Sequence, residues 1–181
     1  MQEIDDITLR KAAHGDRKAF KSLYDHYAPF LWRVLFPMAG HDMTTARELL
    51  QDTFVKVFES LHQFKGQSAL STWLYRIAYT SAMAYGRRQR NQHRFQPFTD
   101  TFGGDDRSDR FDDRQLVRKV LLALETDDRF LLIAREVDGI PFEDLSLITG
   151  QKSGALRTKL HRLKEQIRQL FPQEQFAVSE A

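Results

Sequence analysis

Cysteine is absent from this 181-residue chain, which excludes disulfide bonds and thiolate metal ligands. Long apolar runs are absent too, and none approaches the roughly 20 residues that a membrane-spanning helix needs. The first residues, MQEIDDITLRKAAHGD, are polar and acidic and lack the apolar stretch of a secretory signal. We therefore expect a cytoplasmic protein with no membrane insertion, no metal and no cofactor.

Acidic residues are missing from residues 60–99, although the net charge of the chain is only +2. Residues 125–144 have the opposite balance, with seven acids against two arginines, and residues 150–171 carry six cations and one acid. A charge run most often marks a solvated helix face. Two separated basic zones can also contact one polyanion at two places. Charge alone does not distinguish these interpretations, so the choice between them depends on the motifs.

Apolar residues recur at steps of three and four over most of the chain, which predicts an all-α fold. In residues 5–36 we expect two helices, interrupted at Gly15-Asp16 and Pro29, and we expect Pro37 and Gly40 to end the segment. Residues 44–62 predict a further amphipathic helix. The helix that follows should begin with Ser71 or Thr72 as its N-cap.

The periodicity divides the chain into two helical domains. Residues 1–90 form the first and residues 115–171 the second, with breaks expected at 139–141 and 150–153. Residues 91–114 contain Pro97, the Gly103-Gly104 pair and six aspartates, which is typical of a flexible acidic linker. We expect residues 172–181 to form a frayed tail.

Residues 141–167, PFEDLSLITGQKSGALRTKLHRLKEQI, predict a helix-turn-helix. Pro141 suits the first position of a helix, Gly150 allows the turn, and Ser153 can cap the second helix. Leucines and isoleucine at steps of four and three predict one buried seam: Leu156, Leu160, Leu163, Ile167 and Leu170. The opposite face holds small residues followed by polar and cationic ones, as a recognition helix requires: Gly154, Ala155, Thr158, His161, Arg162 and Glu165. A plain helical hairpin with a basic outer face is the alternative.

Residues 71–90, STWLYRIAYTSAMAYGRRQR, combine an apolar start with a polar stripe and a basic end. Hydroxyl, guanidinium and thioether groups share the stripe, which consists of Thr72, Arg76, Tyr79, Thr80, Met83 and Arg87. Together with Phe64, Lys65, Gln67 and Ser68 of the preceding loop, such groups suit stacking and edge contacts to unpaired bases. Trp73 and Tyr75 can equally be core aromatics.

Two stretches resemble the regions of a bacterial sigma factor. Residues 19–90 are similar to region 2, through AFKSLYDHY, ARELLQDTFVKVFESLHQFKG and STWLYRIA with its trailing arginines. Residues 124–163, which begin LETDDRFLLIAREVDG, are similar to region 4. Both regions in order, with a short linker and no domain between them, resemble the extracytoplasmic-function (ECF) group.

The resemblance implies a transcription initiation factor rather than an enzyme. Its partners would be core RNA polymerase (β′ clamp and β flap), promoter DNA that is duplex at −35 and single-stranded at −10, and an anti-sigma factor. The expected −10 contacts are Phe64, Lys65, Ser68, Ala69, Thr72, Arg76, Thr80, Met83, Arg87 and Arg88. The expected −35 contacts are Lys152, Ser153, Arg157, Thr158, Lys159, His161 and Arg162. The expected polymerase contacts are Glu48, Leu49, Gln51, Asp52, Val55 and Lys56.

This chain departs from the family where Thr80 replaces a frequent Asn, where Ala84 replaces a polar Asp or Asn, and where Leu124-Glu125 replaces Leu-Pro. The residues also leave other functions open. A helix-turn-helix regulator that binds duplex DNA without polymerase is the main alternative, and an anti-sigma or adaptor protein is the second. An enzyme ranks third, because no Ser-His-Asp set, phosphate loop or metal-ligand cluster is apparent. Core packing explains Leu50, Phe54 and Phe58 as well as polymerase binding does.

Overall fold

The computed structural model describes residues 3–93 and 113–170, and within these ranges every regular element is a helix. The helices of the first range are α1 (Asp6–Ala13), α2 (Arg17–Met38), α3 (Met43–Ser60) with a 3₁₀ turn at Leu61–Gln63, and α4 (Leu70–His93). Those of the second are α5 (Asp113–Ala123), α6 (Thr126–Leu132) with a π-helical turn at Ile133–Val137, α7 (Phe142–Thr149) and α8 (Ser153–Leu170). The all-α prediction is confirmed. Over the same ranges, every helix is too short or too polar to cross a membrane.

We call α1–α4 the N-terminal module and α5–α8 the C-terminal module. α4 ends at His93 and α5 begins at Asp113, so helix extends a few residues into the segment predicted as linker. The rest of that segment, residues 94–112, and the predicted tail lie outside the described residues.

Aspartates begin the first three helices. The side chains of Asp5, Asp16 and Asp42 accept hydrogen bonds from the backbone N–H groups of Thr8, Ala19 and Thr45, at 2.9, 2.8 and 2.7 Å. These bonds satisfy N–H groups that have no partner within the helix. The break predicted at Gly15-Asp16 is confirmed, with Gly15 at φ +86°.

Proline does not interrupt α2. The prediction of a break at Pro29 is wrong, and α2 also continues through Pro37 to Met38. Proline costs a helix one hydrogen bond, but Pro29 is exposed, so water can hydrate the carbonyl that it leaves free. Buried residues on both sides of Pro29, including Tyr27 and Leu31, hold the helix against the core.

The helix-turn-helix is confirmed, with small differences at its ends. Gly150 ends α7 at φ +74°, and Leu156, Leu160 and Leu163 are buried as predicted. Ser153 is the first residue of α8 rather than its cap, because the N–H of Leu156 bonds to the carbonyl of Lys152. Pro141 precedes α7 instead of starting it.

The two modules pack together along α4. Its buried Leu74, Tyr75 and Ala78 join a core cluster that also contains Phe130 and Leu145 of the C-terminal module. The rings of Tyr75 and Phe130 meet at 5.6 Å between centroids. The alternative interpretation of Tyr75 as a core aromatic is therefore confirmed. We call this packing the closed arrangement.

Candidate nucleic-acid interface

A recess of about 350 Å³ lies beside the start of α4. It brings together most of the predicted loop and stripe residues, and its lining consists of Gln63, Phe64, Lys65, Gln67, Ser68, Thr72, Trp73, Arg76 and Leu147. Phe64 and Trp73 form one side with ring centroids 5.4 Å apart. The lining in the described part of the chain includes two cations and no carboxylate. Aromatic faces beside cations are what a base and its phosphate require.

Along α4 the predicted stripe divides into exposed and covered residues. Arg76, Thr80, Arg87 and Arg88 are exposed, and Met83 is half-buried. Thr72 was expected to face unpaired bases, but it is only 9% exposed. It is covered because the first turn of α4 packs between the loop and α7, whose Leu147 borders the recess.

Tyr79 does not belong to the open stripe either. Its hydroxyl donates a 2.8 Å hydrogen bond to Asp127 of α6. Burial, together with this carboxylate, raises the pKa of Tyr79. One helical turn earlier, the hydroxyl of Tyr75 donates to Asp138 at 2.7 Å, and burial raises its pKa as well. Both tyrosines therefore remain protonated donors that hold the C-terminal module.

Asp138 is the most enclosed acid of this interface. Its side chain has no exposed surface, and it pairs with Arg33 of α2 at 3.0 Å in addition to Tyr75. Further along α4, Gly86 lets α6 approach, since a Cβ at this position would lie 2.6 Å from the Oγ1 of Thr126. Sequence reasoning missed both residues. The cluster of seven acids in residues 125–144 was the available signal, but the sequence does not say which helix the acids face.

The outer face of α8 remains open. Lys152, Arg157, Thr158, His161 and Arg162 are exposed, and Ser153 is half-buried. Arg157 is partly engaged, because it pairs with Glu143 at 2.9 Å and lies over the ring of Phe142. Small residues at the start of this face, Gly154 and Ala155, are exposed and leave room for a surface to approach.

Lys159 was expected among the DNA contacts, but it turns inward instead. It forms ion pairs with Asp127 and, at 2.8 Å, with Asp128. Burial alone would lower the pKa of Lys159, but the two carboxylates outweigh it and raise the pKa. In the closed arrangement Lys159 is therefore committed to α6 and is unavailable to a phosphate.

The predicted polymerase-binding side chains on α3 are mostly exposed. Glu48, Gln51, Asp52, Val55 and Lys56 are open to solvent, and the Nζ of Lys56 also bonds to Ser81 of α4 at 2.8 Å. Leu49 was assigned to the same surface, but it is only 5% exposed because it faces the core between the helices.

An aromatic groove, which the sequence interpretation did not include, adjoins these α3 residues. Its volume is about 740 Å³, and its lining consists of Phe20, Tyr24, Arg47, Leu50, Gln51, Phe54, Val55, Phe58 and Glu59. Phe58 and Val55 are about half exposed. Of the three residues that core packing could explain, Leu50 and Phe54 are buried and Phe58 is not. α3 carries more apolar residues than one buried face needs. These extra apolar residues were a sequence signal for a second apolar surface.

The sequence of the N-terminal module is similar to that of a known protein family. The model of the Sigma-70 region 2 family matches residues 23–92, which include every lining residue of the recess except Leu147 and all of α4 except His93. The chain is 29% identical to the RNA polymerase sigma-H factor of Pseudomonas aeruginosa, covering 92% of this chain and 93% of the relative. It is 27% identical to the ECF RNA polymerase sigma-E factor of Escherichia coli K12, with the same coverage.

A solved structure shows that the likeness extends over both modules. The sigma factor RpoE, determined in complex with the anti-sigma factor NepR from Bartonella quintana, superposes with a TM-score of 0.69 at 22% identity. The alignment covers 84% of this chain and 96% of that one. The region 2 match and the similarity to curated sigma factors over 92% of the chain support an RNA polymerase sigma factor. The similarity to the sigma-E factor supports the ECF group within that class.

Proposed function

We propose that this sigma factor binds core RNA polymerase, directs it to promoters and holds the melted −10 strand in the recess beside α4. The observation that carries this proposal is the lining of the recess, where an aromatic pair meets two cations and no carboxylate is present among the described residues. The chain acts as a binding factor in the cytoplasm, and the polymerase supplies the chemistry.

In the −10 contact, Phe64 offers a face on which an extruded base can stack, while Lys65 and Arg76 lie where they can reach its phosphates. Extruding a base costs a few kcal/mol, which a prepared recess offsets. Further along α4, the exposed Arg87 and Arg88 bind the backbone without regard to sequence. The Thr80 hydroxyl donates to the carbonyl of Ile77 at 2.8 Å, so Thr80 offers a base an acceptor and a methyl group.

In the −35 contact, the outer face of α8 enters the major groove of duplex DNA. Thr158, His161 and Arg162 share that exposed face, and Arg157 flanks it. Arginine reads guanine through two parallel hydrogen bonds, which gives Arg162 the chemistry of a specificity contact. The C-terminal module then corresponds to region 4 and meets the β flap.

Polymerase docking uses the exposed side of α3 together with the aromatic groove. Gln51 and Val55 belong to both surfaces, so polar and apolar contacts to the β′ clamp can be continuous across α2 and α3. Phe58 and Tyr24 are exposed aromatic residues, the kind that dominate binding energy at protein interfaces.

Promoter binding at both elements requires the two modules to separate. Elements centred near −35 and −10 lie roughly 25 base pairs apart, which is about 85 Å at 3.4 Å per base pair. A compact chain of this length is only about 40 Å across. In the closed arrangement the recess and α8 therefore cannot reach both elements at once.

An anti-sigma factor is the expected regulator. The Bartonella quintana protein of the same fold was determined in complex with one. We propose that this chain is held in the same way until its inducing signal arrives, with the anti-sigma factor competing for the surfaces assigned to polymerase.

The decisive experiment is transcription in vitro with core RNA polymerase, followed by genome-wide mapping of the start sites. The expected result is a set of transcripts that share −35 and −10 motifs and that disappear when the chain is omitted. Val55→Glu, which places a charge in the aromatic groove, should reduce binding to core polymerase more than tenfold. If the chain binds duplex DNA but never core polymerase, the helix-turn-helix regulator replaces the sigma factor as its function.

A further inference from the structure

The start of α4 is held by a residue from the other end of the N-terminal module. The backbone N–H groups of Leu70 and Ser71 each donate to the Glu3 carboxylate at 3.2 Å, and the Ser71 hydroxyl donates to it at 2.8 Å. Tyr27 fixes the carboxylate in turn, because its hydroxyl donates to Glu3 at 3.3 Å. Tyr27 is fully buried, so this anchor belongs to the core.

α4 needs this carboxylate because its own cap position carries alanine. The N–H of Trp73 bonds to the carbonyl of Ala69, which places Ala69 at the cap, and a methyl group cannot accept a hydrogen bond. α1, α2 and α3 are each capped by a local aspartate. Glu3 therefore does for α4, across 67 residues, what those aspartates do for their own helices. Its negative charge also lies at the positive end of a 24-residue helix.

The capped turn forms part of the wall of the recess. Thr72 and Trp73 follow Ser71 directly, and Ser68 precedes Leu70 in the loop, so three lining residues flank the two capped amides. Glu3 itself does not line the recess. A first turn without its cap frays, and fraying here would release Trp73 from Phe64.

We propose that Glu3 is a positioning residue for the −10 strand: by capping α4 from the N-terminal segment, it keeps the recess in its base-accepting shape. This inference rests on the proposed function and adds a residue that makes no DNA contact of its own. A carboxylate that acted mainly through its charge would instead repel phosphates, so the two effects predict opposite signs.

The test compares Glu3→Ala and Glu3→Gln with Asp5→Ala in the full chain bound to core polymerase. Asp5 is the matched control, because its carboxylate caps α1 through Thr8 rather than α4. The probe for the recess is a fluorescein-labelled 12-nucleotide strand carrying the −10 sequence found by start-site mapping. The probe for α8 is a labelled −35 duplex. Hydrogen–deuterium exchange over residues 68–76 reports the cap directly.

Glu3→Ala should weaken strand binding about 3- to 10-fold, the effect of losing one helix cap. Exchange at the first turn of α4 should rise, and affinity for core polymerase and for the −35 duplex should stay within twofold. Glu3→Gln keeps an acceptor oxygen and should recover part of the loss. The inference is overturned if strand affinity rises, or if Asp5→Ala lowers it as much as Glu3→Ala. Failure of the unmodified chain to bind core polymerase would overturn the proposed function as well, and is recognised before any variant is made.

Discussion

On α8 the side chains assigned to duplex DNA face solvent, whereas on α4 the first residue of the assigned stripe is buried and the recess is bordered by the other module. Thr158, His161 and Arg162 are exposed, but Thr72 is covered and Leu147 of α7 lines the recess. Both helices carry the same mixture of cations and small polar residues, so composition does not explain the difference.

The difference follows from which side of each helix is attached to the protein. α8 packs through its leucine seam, and the face that we propose binds DNA lies opposite that seam. α4 packs against the N-terminal module on one side and against α6 and α7 on another, so its Thr72 is covered while Arg76, Thr80, Arg87 and Arg88 remain exposed. In the closed arrangement the face proposed to bind the −35 element is thus open, while we expect full access to the face proposed to bind the −10 strand to require separation of the modules.

The largest expected effect comes from Asp138→Asn, which should open the closed arrangement. Removing the charge weakens the buried hydrogen bond from Tyr75 and the pair with Arg33. Arg33 is more than half exposed, and water screens its pair, so most of the loss arises at Tyr75. We expect docking of the modules to weaken by about 2–4 kcal/mol.

This opening can be measured by energy transfer between dyes, and the absence of cysteine allows labels at Lys11→Cys and Gln169→Cys alone. Asp144→Asn, a carboxylate change on α7 away from Tyr75, is the control. Equal transfer efficiency in the Asp138 and Asp144 variants would mean that Asp138 does not hold the modules together.

Arg162→Ala should weaken −35 duplex binding by about 1–3 kcal/mol and relax the preference at one base pair. Strand binding at the recess should not change, because α8 and α4 act separately. Lys164→Ala removes the same charge from a residue paired with Glu136 at 2.7 Å and serves as the control. An equal loss on every duplex sequence would make Arg162 a phosphate contact instead.

Gly86→Ala should push α6 away from α4 and so favour separation of the modules. The added methyl would lie 2.6 Å from the Oγ1 of Thr126, and overpacking of this kind costs about 1–3 kcal/mol. Alanine also favours α4 itself by about 1 kcal/mol. Strand binding in fluorescence anisotropy should therefore increase severalfold, a gain that simple damage to the fold cannot produce. Adding Thr126→Ala should reverse the increase in strand binding. A decrease in strand binding for Gly86→Ala alone would contradict the expected separation of α4 and α6.

The smallest effect concerns pH and His41. Burial, followed by the charges of Arg118 and Arg129, lowers the pKa of His41, and both arginines belong to the C-terminal module. Separation of the modules would return the pKa toward 6.5, so the separated state binds more protons below that pH. Docking should accordingly be strongest above about pH 6.5 and weaken as the pH falls through that value, by at most about 1 kcal/mol per pH unit.

Energy transfer measured from pH 7.5 to 5.5 tests this dependence. His41 has a φ of 63°, which asparagine tolerates, so His41→Asn keeps the backbone and removes the titrating group. The variant should lose the dependence over that range. If the His41→Asn variant keeps the pH dependence of energy transfer, another titrating group is responsible for it.

Local sequence patterns predicted the positions of the helices well, but they did not predict which residues of different helices contact one another. The leucine seam of α8 and the glycine turn at Gly150 follow from spacing and from backbone preference within a few residues, and both are present. The prediction that Pro29 breaks the helix was wrong because buried residues on either side of Pro29 hold α2 against the core, which outweighs the local effect of proline. The hydrogen bonds that Leu70 donates to Glu3 and that Tyr75 donates to Asp138 join residues more than 60 positions apart, and no local pattern encodes such contacts.

The same limit applies to the candidate sites. The residues predicted for the −10 loop could be grouped from the sequence because they are contiguous and their chemistry suits unpaired bases, and Phe64, Lys65 and Ser68 line one recess. Thr72 and Leu49 were expected on open surfaces but are buried, and Lys159 is paired with two carboxylates, because periodicity gives the face of a helix but not what covers it. The aromatic groove was missed because Phe20 and Tyr24 lie on α2, whereas the interpretation considered α3 alone.

The most direct test of the account is the distance between the two modules before and after promoter binding. Dyes at Lys11→Cys and Gln169→Cys should give strong energy transfer in the free chain, as expected for a body about 40 Å across. In the complex with core polymerase and a mapped promoter, transfer should nearly vanish as the dyes move toward the roughly 85 Å that separates the two elements. Unchanged transfer in a complex that initiates transcription would contradict the requirement that the closed arrangement opens.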